Sequence, residues 1–167
     1  MATGITGINE QPDAGAQLQR LQLEQRAKAG ASWLVWVAGL SMVNSLVSGF
    51  GGSIRFIFGL GVTQIVDAVS HQVGSAGLVL DLIINGIVVG LFVLLWHFAR
   101  KGQKWAFILG LGLYALDGLL LIPFQDYLGL AFHAYALWRI YQGFQAASEL
   151  EAMGPIGLAT GGDIQPR

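Results

Sequence analysis

GLVLDLIINGIVVGLFVLLWHFA, residues 77–99, decides the fold. It is apolar almost throughout, with Asp81, Asn85 and His97 as its polar exceptions. A run of about 20 such residues in helical form matches the hydrocarbon thickness of a bilayer. Three further stretches read the same way, at 31–50, 105–123 and 127–144. The sequence thus predicts an all-α, four-span transmembrane helix bundle. Each stretch carries a polar residue that lipid would reject: Asn44, Asp81 with Asn85, Asp117 and His133. Ionisable groups within a membrane are costly, and by default they mark a functional site.

Composition agrees. The chain has 167 residues, of which 54% are hydrophobic and 11% charged, against about 25% charged in a typical soluble domain. Most of the charge lies outside the apolar runs. A net charge of −1 and no zinc-finger, RNP or P-loop pattern argue against a nucleic-acid partner. The chain has no cysteine, which excludes disulfides, thiolate metal sites and dithiol redox chemistry.

Outside the spans, residues 1–30 form an N-terminal segment that carries Glu10, Asp13 and Glu24 and lacks the apolar core of a signal peptide. Within it, AQLQRLQLEQRAKA at 16–29 consists of helix formers with a thin apolar stripe of Leu18, Leu21 and Leu23. This predicts a short helix lying on the membrane or leading into it. The membrane domain is expected over 31–145. Residues 146–167 are rich in Gly, Pro and small side chains, and read as a flexible tail. Arg20, Arg26 and Lys28 precede the first span, Arg100, Lys101 and Lys104 fill the loop after the second, and Arg139 lies near the end of the fourth. The other side has only Arg55. The positive-inside rule then puts both termini and the 100–104 loop in the cytoplasm.

Residues 53–71, SIRFIFGLGVTQIVDAVSH, are the ambiguous segment. Arg55, Gln64 and Asp67 interrupt a run that is marginal for a span, so a re-entrant or interfacial helix at about 54–70 is expected. A contrary sign is an echo: Phe56-Ile-Phe-Gly-Leu-Gly61 resembles Phe107-Ile-Leu-Gly-Leu-Gly112, and an Asp follows each, at 67 and 117. If 53–71 spans, the bundle has five helices. Small-residue pairs at Ser41/Ser45, Ser45/Gly49 and Gly86/Gly90 are candidates for close helix approach.

Counted from the outer end of each span, Asp81 lies at a depth of about 6 Å, Asn85 at about 12 Å, and Asn44, Asp117 and His133 at about 9 Å. All four spans therefore place a polar group in one slab of the outer half. Three chemistries fit it. Asn, Asp and His can hydrogen-bond across helices and fix their register. Asp81, Asp117 and His133 can carry protons or ions, although His97 and Arg139 are the only ionisable candidates in the inner half. The same residues with Asp67 and His71 are chemically sufficient for a metal site with an activated water, as in a hydrolase or lipid-modifying enzyme, yet no spacing such as HExxH supports one. A serine nucleophile at Gly74-Ser-Ala-Gly77 lacks the G-x-S-x-G pattern. Trp33, Trp36, Trp96, Trp105 and Trp138 cluster near span ends and read as an aromatic belt.

The segment Ala31-Ser-Trp-Leu34, Leu40-Ser-Met-Val-Asn-Ser45 and Phe58-Gly-Leu-Gly-Val-Thr-Gln-Ile-Val-Asp67 resembles an uncharacterised family of small bacterial polytopic inner-membrane proteins, mainly over residues 31–70. The resemblance implies a multi-pass protein of the bacterial inner membrane and brings no activity, cofactor or catalytic residue. The expectation is an accessory or interaction subunit without a cofactor, partnered by the bilayer and by other membrane subunits or further copies of itself. The alternatives are the metal-assisted enzyme and, third, a small transporter or proton conductor.

Overall fold

The computed structural model describes residues 14–49, 75–123 and 125–154, and they form four helices. These are α1 (Ala14–Gly49), α2 (Ser75–Ala99), α3 (Lys104–Leu119) and α4 (Tyr127–Ala152). The chain is all-α. The helix expected at about 54–70 lies outside the described residues, as do Asp67 and His71.

α1 packs along α2 and α4, and α3 packs along the same two, so the helices close into a ring. The short connections from α2 to α3 and from α3 to α4 impose antiparallel neighbours. Gly102 makes the first of these turns in the left-handed region, at φ 77°, which glycine enters without steric cost. Contacts along the helices fix the register. At one end Arg20 of α1 donates to the carbonyl of Gly154, and Lys104 of α3 pairs with Glu151 of α4 at 2.9 Å. Arg100 and Lys101 also lie at this end, with Arg100 5.0 Å over the Trp96 ring. Further along, Trp33 of α1 meets Tyr135 of α4 edge-on at 5.2 Å, and Phe92 of α2 meets Tyr114 of α3 at 6.3 Å.

Two boundaries differ from those the sequence suggests. The short helix at 16–29 and the first span at 31–50 are one continuous helix of 36 residues, about 54 Å long. No proline interrupts it, and its first half is held in tertiary contact: Leu23 and Ala27 are buried in the same core as Ala146 and Ala147. For the same reason the start of the expected flexible tail is helical. Residues 146–152 continue α4, two of their alanines are buried, and Gly154 closes the helix at φ 66° with its N–H on the Glu151 carbonyl.

The bundle's interior combines branched aliphatic, small and aromatic residues with a few polar groups, and its exterior is largely apolar. Leu34, Val37, Phe107, Tyr114 and Ile140 fill the centre, while Ile87, Leu82, Leu116, Ile108 and Trp36 stand more than half exposed. Among the described residues one helix, α2 over Leu82–Ala99, is long and apolar enough to cross a membrane. α3, at 16 residues, is shorter than the roughly 17–25 residues a perpendicular span requires.

Of the pairs expected to bring helices together, Ser41/Ser45 and Ser45/Gly49 include side chains outside the described residues. Gly86 and Gly90 face open space. The close approach is between Gly30 of α1 and Gly143 of α4, where a Cβ on Gly143 would lie 2.7 Å from the Gly30 Cα. Ala27 and Ala31 on α1 and Ala147 on α4, all buried, extend this small-residue seam.

Candidate functional site

α4 begins with a fixed first turn. Asp126 is its N-cap, and the Asp126 carboxylate accepts the Gly129 N–H at 2.9 Å. This satisfies one of the amides a helix start leaves without a partner. One turn later, the Nδ1–H of His133 donates to the Gly129 carbonyl at 2.9 Å. The ring is thereby tied to its own helix on one edge.

Its other edge reaches α3. His133 Nε2 lies 2.9 Å from Oδ2 of Asp117, with both side chains almost wholly buried. The approach depends on Gly118: a Cβ there would sit 3.2 Å from Cδ2 of His133. Tyr114, one turn earlier on α3, stacks on the imidazole with centroids 4.3 Å apart and planes 13° from parallel. Tyr114 is itself fully buried, and its hydroxyl has no hydrogen-bond partner among the described residues. His133 is therefore held at both ring nitrogens and on one face.

Each helix contributes one buried polar residue: Ser41, Asn85, Asp117 and His133. Of the residues the sequence places in one polar slab, Asn85, Asp117 and His133 are buried. Ser41 Oγ donates to the Val37 carbonyl at 2.9 Å within its own helix. Asn44 and Asp81 lie on α1 and α2, with side chains outside the described set. Of the catalytic candidates, Asp117 and His133 are brought into direct contact. His97 is exposed near the other end of α2.

Tyr114 was missed as a member of the site. Its position one turn from Asp117 was visible, but a tyrosine in an apolar run reads equally well as packing. For a metal, the described residues contain no group of three or more His, Asp or Glu that could hold an ion. His133 offers no idle nitrogen, since one faces a carbonyl and the other a carboxyl group.

The fold and site thus define an all-helical bundle with an apolar exterior and one buried imidazole–carboxyl pair joining α3 to α4. No family model, curated relative or solved structure matches this chain.

Proposed function

We propose that this is a four-span integral membrane protein, with both termini and the 100–104 loop in the cytoplasm, that acts as an accessory or interaction subunit rather than an enzyme. The polar-in, apolar-out arrangement supports the membrane reading. A soluble monomer rarely exposes a contiguous apolar patch beyond a few hundred Å², whereas here large apolar side chains stand exposed on all four helices. α3 reaches membrane length when the turn through Pro123 is counted with it. The bacterial inner membrane is proposed on the resemblance of residues 31–70 alone.

The observation that carries the interaction reading is the outward face of α2. Ile83, Gly86, Ile87, Gly90 and Leu94 share that face, all exposed, and no atom of the described residues lies within 4 Å of a Cβ built on either glycine. Helices associate in lipid through small residues that admit a second backbone. This bundle uses that device internally at Gly30 and Gly143 and leaves Gly86 and Gly90 for another chain.

A cysteine placed at Ile87 tests this in native membranes, because the chain has no other. Cross-linking to a second copy, or to a co-purifying membrane protein, is expected, with loss on adding Gly90→Leu. A lone chain in gently extracted membranes, indifferent to Gly90→Leu, overturns the proposal. Stoichiometric zinc in the purified protein, lost in His133→Gln, overturns it in favour of the metal-assisted enzyme.

A further inference from the structure

The hydrogen bonds around His133 fix how many protons the site holds. The Gly129 oxygen is a carbonyl and can only accept, so the contact at 2.9 Å requires a proton on Nδ1. The contact of Nε2 with Asp117 Oδ2, also at 2.9 Å, requires a second proton. A lone pair on Nε2 facing an ionised carboxylate would be repulsive. That second proton rests either on Nε2, giving imidazolium beside carboxylate, or on Oδ2, giving imidazole beside carboxylic acid. Both forms have the same total charge. A neutral imidazole beside an ionised carboxylate has one proton fewer and adds a negative charge to a buried site, where desolvation is expensive.

We propose that Asp117 and His133 together form a buried proton-binding site, and that the proton bound there is the one that joins α3 to α4. The ligand is a proton delivered by hydronium, which departs as water: Nε2 or the Asp117 carboxylate supplies the electron pair, an N–H or O–H bond forms, and the pair gains one positive charge. Its surroundings favour holding the ring in place. Tyr114 stacks on it from α3, and Asp126 fixes the N–H of the residue whose carbonyl takes the Nδ1 proton. These two are the other titratable groups described about the pair. The buried polar residues of α1 and α2, Ser41 and Asn85, do not titrate, and Asp81 lies one turn before Asn85 on α2. The inference stands independently of any partner on α2.

The test uses the full chain, labelled with 15N at histidine and 13C at aspartate, in phospholipid vesicles at neutral pH. Signals are assigned by loss in His133→Gln and Asp117→Asn. The expected result is a protonated Nδ1, together with a proton on either Nε2 or the Asp117 carboxyl group. Raising the pH should release one more proton per chain from wild type than from Asp117→Asn. Asp117→Asn keeps the contact, because its amide N–H can donate to an unprotonated Nε2. The variant should therefore keep its helix content and its Nδ1 proton while losing the titrating one. A singly protonated ring beside an ionised Asp117 in wild type, or equal proton release from the two proteins, overturns the proposal.

Discussion

Gly30 on α1 and Gly143 on α4 lie backbone against backbone, and a Cβ built on Gly143 would come within 2.9 Å of the Phe107 ring and 3.2 Å of the Ala27 carbonyl oxygen. Three helices meet at this point, since Phe107 belongs to α3. The crossing sits between the charged end, where Lys104 pairs with Glu151, and the polar layer at Asp117 and His133. It sets how closely α1 and α4 run, and therefore how tightly the layer is enclosed.

Alanine at either glycine should force the helices apart. Overpacking a well-filled interior costs about 1–3 kcal/mol, which outweighs the roughly 0.5–1 kcal/mol that alanine gains over glycine in a helix. Gly143→Ala is expected to lower the thermal midpoint of the purified protein in detergent. Gly86→Ala and Gly90→Ala, where a Cβ meets nothing, should leave it unchanged or raise it. Equal effects at all four positions would show that the Gly30–Gly143 contact is not limiting.

Topology has its own test. A cysteine at Gly102, in the turn beside Arg100, Lys101 and Lys104, should resist membrane-impermeant thiol reagents in intact cells, and a cysteine at Ser75 should label. The reverse would move the basic loop outside and count against the four-span arrangement.

The helices were legible because long apolar runs bounded by charge have few alternative structures. The polar slab was legible because depth along a helix follows directly from residue count, which placed Asp117 and His133 at one level. Rotation about each helix axis was harder. Ser41 is buried on α1, and the sequence alone does not show which side of that helix turns inward. The glycine seam shows the same limit. Gly86 and Gly90 carry the expected spacing, whereas Gly30 and Gly143 belong to different helices, and a contact between them leaves no mark in either local sequence. The continuity of α1 through residue 30 was obscured by a change of composition at that point, since its polar half is stabilised by packing against α4.

Gly118 should control the Asp117–His133 contact from the side. An alanine there would place its Cβ 3.2 Å from the imidazole, a distance that a shift of a few tenths of an ångström relieves. Gly118→Ala should therefore keep the fold and the Asp117-dependent proton release. Gly118→Leu has no such room and should displace the ring. Its signature is a His133 ring spectrum that no longer differs when Asp117→Asn is added. A leucine variant with the wild-type spectrum would mean that the ring reaches Asp117 by another path.

The energetic weight of the pair is best read from a double-mutant cycle. Asp117→Leu leaves His133 Nε2 buried without the Asp117 carboxyl group, and His133→Leu takes the imidazole away from that carboxyl group. Removing one member of a buried ionic pair costs about 3–5 kcal/mol, whereas replacing both with apolar residues is often neutral or stabilising. The double variant Asp117→Leu/His133→Leu should therefore be more stable than either single variant, measured by denaturation in the same detergent, which requires a coupling between the sites larger than either single loss of about 3–5 kcal/mol. Leucine on both helices also suits the apolar surroundings supplied by Phe92, Tyr114 and Leu121, all buried. If the double variant is folded and stable but releases no proton on alkalinisation, the pair is dispensable for the bundle and serves the proton. If the losses simply add, each residue is held by its own helix and the link between α3 and α4 contributes little.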